Sequence, residues 1–293
     1  MNPEDRERLL KAGAIAREAR EAGMAQVRGG GKVLDVVEEI EELIVKRGGK
    51  PAFPVNIGIG SIAAHYTPPA GDEARFPVSG IVKVDVGVHV EGFVADTAGT
   101  VALGGNGQSL SDAARNALEN ALALLGPGAS LKAVGMTIEN TIKAAGFKPV
   151  SNLTGHSIER YSLHAGMSIY NVAVQKDEHL PQEVVIAVEP FATDGKGFVV
   201  SGKGGNIYSM VKRVKTGVNS LDEFQDAIME RYNTLPFAER WLSDFKQRRE
   251  MLARLSRLGA LHSYEILVEA GKGVVSQWEH TLIIEREGAT VTT

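Results

Sequence analysis

From Val82 to Val90 valines occupy every second position of the chain. Side chains of a strand alternate between two faces, so a period of two predicts a half-buried strand rather than a helix. The stretch HVEG at 89–92 reads as a turn, and a second apolar run follows it. Together they predict an antiparallel hairpin over 81–100. Each run contains an acid, Asp85 in the first and Asp96 in the second. A buried carboxylate without a partner is costly, and it normally pairs or binds a metal.

Other segments repeat with the helical period. Asn2 and Pro3 read as a cap and first position of a helix that runs to about Gln26 and is broken by GGG at 29–31. Val33, Val36, Val37, Ile40, Leu43 and Ile44 share one face of a second helix that ends at Gly48. Two more helices fit about 110–125 and 130–145, and extended segments return from 147 to 193. After Gly205, Ser220 and Glu223 form a capping-box pattern ahead of helices at about 221–231 and 237–258. Strand patterns resume near His262, with a hairpin expected around Ala270 and Gly271. The expected fold is α+β, with a body of 1–205 and 262–293 and an inserted helical subdomain at 206–261.

Composition narrows the possibilities. The 293 residues are 43% hydrophobic and 23% charged, with net charge −4, as in a soluble globular protein without an obligate nucleic-acid partner. The basic stretch at 245–259 reads as a solvated helix face. Cysteine is absent, so disulfides and thiolate metal sites are excluded and any metal must be held by oxygen and nitrogen. No apolar run approaches the roughly 18–20 residues of a membrane span. The acidic N-terminus is unlike a targeting peptide, and a cytoplasmic location is expected.

The acids and histidines inside apolar extended runs form a short set: Asp85, Asp96, His156, Glu189 and Glu279. Four carboxylates and one imidazole suit a pair of divalent first-row ions better than a closed structural zinc site. His65 and His164 are expected near such a centre, where a histidine that is not a ligand can donate a proton or stabilise charge. His156 and His164 are eight residues apart, a spacing that puts both on one face of a continuous strand. His89, His179 and His262 read as surface residues, and His280 should face away from its neighbour Glu279.

Five motifs, NLTGHSIERYSLHAG, AAHYTPPAGD, VDVGVHVEGFVADTA, AVEPFATDGKG and QWEHTLI, together resemble the methionine aminopeptidases of type II, in the pita-bread superfamily. The resemblance spans nearly the whole chain and is similar to the archaeal form. It implies a central curved antiparallel sheet flanked by helices, with a small winged-helix-like insert. It implies two divalent ions (Co, Mn, Fe or Zn): Asp85 on the first, Asp96 and Glu279 bridging, His156 and Glu189 on the second. Glu189 is also implied as a proton shuttle, and His65 and His164 as the histidines that contact substrate. Phe53, Ile207, Tyr208, Pro236 and Tyr264 would line the methionine pocket. The segment GNIYSMVKRVK departs from the histidine-containing version of the family. The implied partner is a peptide or nascent chain beginning with Met, met by a monomer with transient ribosome association and neither stable nucleic acid nor membrane. Two alternatives share the fold. One is a prolidase or aminopeptidase P-like peptidase, against which the insert and AAHYTPPAGD speak. The other is a non-catalytic RNA- or ribosome-binding protein, a kind that loses the metal ligands, whereas all five are present here.

Overall fold

The computed structural model describes every residue except Asn106. Helix α1 (Pro3–Gln26) starts where the sequence places it, with the Asn2 side chain accepting the Asp5 N–H at 2.8 Å. That bond satisfies one of the donors a first helical turn leaves free. Helix α2 (Val33–Lys46) stops just ahead of Gly48, whose φ of 81° a side chain would oppose. The apolar faces of both helices close over Val82, Val84, Val86 and Val88, all fully buried.

Those valines belong to the strand Gly80–Val90, which turns through Glu91 and Gly92 into Phe93–Leu103. Both turn residues have positive φ (50° and 89°), the twist that tight hairpin connections require. Asp85 pairs with Ala98 and Gly87 with Asp96, so the two aspartates are diagonal neighbours on the face turned away from the helices.

A second antiparallel sheet runs in the order Gly288–Val291, His280–Glu285, Val184–Val188, Thr154–Ile158, Ser168–Tyr170. Helices α3 (Gln108–Leu122) and α4 (Leu131–Ala144) pack their apolar side against it through Ile138, Ile186, Val188 and Leu282. The two sheets join at one seam. Glu279 N–H donates to the Ala98 carbonyl at 3.1 Å. The Thr281 hydroxyl donates to the Asp96 carbonyl at 2.8 Å and accepts the Asp96 N–H at 2.7 Å. The result is the expected α+β body, a curved antiparallel surface with helix pairs behind it.

Three local expectations are corrected. The helix expected at 237–258 is instead a short strand, Phe237–Ala238, a 3₁₀ turn, Glu239–Leu242, and a shorter helix α6 (Arg248–Arg257), which follows α5 (Asn219–Tyr232). Phe237 and Ala238 pair with Tyr208 and Ile207, and Arg240 and Trp241 are tied to Glu41, so tertiary bonds override helical propensity. The Ser220–Glu223 box is not formed. The turn ahead of α5 is held by Asp222, which accepts from the Thr216 N–H and hydroxyl at 3.0 and 2.9 Å. The strands beside Ala270 and Gly271 do not pair as a hairpin: Leu261–Glu269 and Val275–Gln277 lie in different sheets. The bend between them wraps the buried Glu269 carboxylate, which accepts the N–H groups of Gly197, Gly271 and Gly273 at 3.1, 2.6 and 2.9 Å.

His89 was expected at the surface and is buried. Its Nδ1 accepts the Gly92 N–H at 3.0 Å and so fixes the hairpin turn. Burial, reinforced by Lys50, pushes its pKa down to about 4. The folded state therefore resists a proton that the unfolded chain takes up near its ordinary value of about 6.5. Stability from this group is complete above that value and is lost as pH falls towards 4, by roughly 3 kcal/mol in all. Urea melts between pH 7 and 4 are expected to show a steeper acid loss for the natural chain than for His89→Gln.

Candidate metal centre

Each candidate side chain is set by its element. Asp85 and Asp96 come from the hairpin, His156 from Thr154–Ile158, Glu189 from the residue after Val184–Val188, and Glu279 from the residue before His280–Glu285. All five line one cavity of about 260 Å³, and so do His65, His164, Phe53, Ile207, Pro236 and Tyr264. Potential ligand atoms of Asp96, His156 and Glu279 lie within 4.8 Å of one another. His156 Nε2 is 3.6 Å from Asp96 Oδ2 and 3.9 Å from Glu189 Oε1.

Tyr208 is the exception. Strand alternation turns Ile207 into the cavity and Tyr208 away from it, onto Phe237 at 6.1 Å between ring centroids. His164 is close to His156, 4.4 Å between rings, but not on a continuous strand: that strand ends at Ile158 and a loop returns His164 to the site. His280 faces away from Glu279 as expected, and its Nδ1 lies 2.9 Å from the Thr293 hydroxyl.

The electrostatics are those of carboxyl groups crowded together in a buried site. Burial, then repulsion from Asp85, holds the Asp96 carboxyl well above the usual range. Burial, then Asp96, does the same to Glu189 and Glu279. Asp85 is pushed up to about 7 by burial, with Asn56, Gln277 and Lys83 opposing. Asp85 Oδ1, Asp96 Oδ1 and Glu279 Oε1 are buried without any hydrogen-bond partner. Orphaned carboxylate oxygens aimed into one cavity, beside an imidazole that burial keeps neutral down to about 3, are what a divalent cation requires. The residues fit such an ion.

Sequence reasoning missed several neighbours. The Gln277 carboxamide donates to Glu189 Oε2 at 3.3 Å and to Glu279 Oε2 at 3.2 Å, orienting two acids at once. A polar residue two positions before Glu279, hence on the same strand face, was the available signal. Asn56, within the apolar PVNIGI, lies opposite Asp85 in the sheet and also lines the cavity. Gly87 owes its identity to Phe53: a Cβ there would lie 2.2 Å from the Phe53 ring.

The profile of Metallopeptidase family M24 matches residues 7–232, most of the chain, and so defines the class. Over 294 residues the chain is 44% identical to a methionine aminopeptidase of Thermococcus onnurineus, covering 99% of this chain and 100% of the relative. It is also 44% identical to the methionine aminopeptidase of Archaeoglobus fulgidus over 293 residues, with full coverage of both. The chain belongs to metallopeptidase family M24 and, within it, to the methionine aminopeptidases. Among solved structures, a methionine aminopeptidase of Thermotoga maritima has the same fold, with a TM-score of 0.72, 22% identity and coverage of 100% of this chain and 98% of that one. A thermophilic Arx1 shares it at a TM-score of 0.89 and 16% identity, covering 100% and 91%. Among the described residues, no helix is long and apolar enough to cross a membrane.

Proposed function

We propose that this protein removes the N-terminal methionine from peptides and nascent proteins whose second residue is small. The observation that carries the reading is the convergence of five metal-ligand candidates and two neutral histidines on one cavity with an apolar wall. In this reading Asp85, Asp96, His156, Glu189 and Glu279 hold two divalent ions, drawn from Mn, Co, Fe and Zn. Such ions supply a Lewis acid and a water that is nucleophilic near neutral pH.

The chain's own groups do the rest. Phe53, Ile207, Pro236 and Tyr264 receive the unbranched thioether side chain, which adapts well to an irregular apolar wall. His65 Nδ1 lies 3.1 Å from the Glu265 carbonyl, so the neutral ring places its proton there and leaves Nε2 as an acceptor for a substrate N–H. Burial keeps both His65 and His164 below the usual imidazole range. His164 donates to the scissile carbonyl oxygen as charge develops on it. Glu189 carries a proton to the leaving amine. We assign residues 206–261, which have their own apolar cluster around Phe224, Phe237 and Leu252, as the insert that closes one side of the pocket. The enzyme works as a cytoplasmic monomer and meets nascent chains during transient ribosome association.

Free methionine should be released from Met-Ala-Ser in the presence of Mn, with Met-Leu-Ser and Ala-Pro left intact. Cleavage of Ala-Pro alone would move the assignment to a proline-directed peptidase. A His164→Ala enzyme should lose about 10²-fold in kcat at unchanged metal content, as measured by elemental analysis.

A further inference from the structure

Glu41, on α2, is a buried acid outside the lining of the metal-site cavity. One oxygen accepts from Arg240 and, at 3.2 Å, from the Val55 N–H; the other accepts from Trp241 Nε1 at 2.8 Å. Arg240 also donates to the Thr67 hydroxyl at 2.8 Å and to the Pro68 carbonyl at 3.2 Å. The Thr67 hydroxyl donates in turn to the Val55 carbonyl at 2.9 Å. The bonds close a ring that ties α2 to three other chain segments, those of Val55, Thr67 and Arg240.

Each of those segments delivers a cavity residue. Val55 lies between Phe53 and Asn56, Thr67 two residues after His65, and Arg240 four residues after Pro236. His65 has φ 64°, a conformation a non-glycine residue keeps only when its surroundings hold it there. On the other side of the ring lies a cavity of about 960 Å³, to which Glu41, Trp241 and Pro236 also belong. The pocket wall at Pro236 is therefore thin and has open space behind it; the pairing of Phe237 and Ala238 with Tyr208 and Ile207 holds it on one side, and the ring ties it to the Phe53 and His65 segments. A buried ion pair is seldom worth more than apolar packing of the same volume, so its contribution is geometric.

We infer that Glu41 is a specificity-determining positioning residue: through Arg240, Trp241 and Thr67 it sets the distance between the Phe53 and Pro236 walls and the orientation of His65. This rests on the pocket reading above. Loosening the ring lets the wall move into the neighbouring cavity, so side chains larger or stiffer than methionine gain access.

The test compares kcat/KM for peptides X-Ala-Ser in which X is methionine, ethionine, norleucine or leucine. The enzymes are natural, Glu41→Gln, Thr67→Val and Trp241→Phe, each loaded with Mn and corrected for folded fraction by circular dichroism. The two milder variants keep the test alive if Glu41→Gln fails to fold. The expected result is a fall of at least tenfold in the preference for methionine over leucine, carried mainly by KM, with the metal content unchanged. Unchanged preference in folded variants overturns the inference and leaves the ring a structural brace. No cleavage of Met-Ala-Ser by the natural enzyme overturns the proposed function instead, and the inference with it.

Discussion

Asp96→Asn is expected to lower kcat by about 10³-fold or more and, in metal-free protein, to raise stability. The loss follows from position. Asp96 sits at the seam of the two sheets, within reach of both His156 and Glu279, so a charge removed there weakens every other contact to the cation. Preorganised electrostatic groups of this kind are typically worth about 10²–10³-fold singly, and more when metal is lost with them. The gain follows from the same geometry. Four carboxylates buried together repel one another and hold the Asp96 carboxyl well above the usual range, so above its unfolded value this group costs the metal-free fold stability that a neutral amide of equal volume does not. The fold keeps its seam, because the Thr281 hydroxyl is bonded to the backbone of Asp96, not to its carboxylate. Thermal melts of chelator-treated protein beside peptide hydrolysis with added Mn check both signs. An Asn variant with full activity, or one less stable than the natural chain without metal, contradicts this account.

The second large effect is on the natural chain. Removing divalent ions should abolish methionine release and lower the thermal midpoint; restoring Mn should reverse both. An ion present at about 100 times its dissociation constant stabilises the folded state by about 2.7 kcal/mol. For a chain of 293 residues that is about 4 °C in midpoint. The Asp96→Asn protein should show little shift with metal, which separates binding at this centre from adventitious binding elsewhere. A natural chain whose melt is indifferent to Mn would place the cation elsewhere.

Much of the body was legible because burial writes a period into the sequence. The hairpin valines, the Asn2 cap and the stripe of α2 each answer to local rules that the structure obeys. The acids stood out for the same reason: a carboxylate in an apolar strand has no local explanation. What could not be read was decided at long range. The helix expected at 237–258 gave way to bonds with Glu41 and the Ile207–Tyr208 strand, some 30 to 200 residues away in sequence. The bend after Glu269 looked like a hairpin because nothing local reports that its carboxylate collects amides from the 196–197 segment. His89 looked polar and exposed beside its turn, yet the turn itself closes over it. Ile207 and Tyr208 were both expected in the pocket, but successive strand residues face opposite ways, so only Ile207 lines the cavity and Tyr208 packs on the insert core.

Fold likeness by itself does not choose among relatives, since Arx1 matches this chain at a TM-score of 0.89 and 16% identity. The site must decide. The most direct measurement is an anomalous-scattering map from crystals of this protein grown with Mn. The account predicts two peaks about 3.5–4 Å apart. Their ligands should be Asp85, Asp96, His156, Glu189 and Glu279, with His65 and His164 nearby but unligated. Peaks at other residues, or none at this cavity in crystals that hold Mn elsewhere, would contradict it.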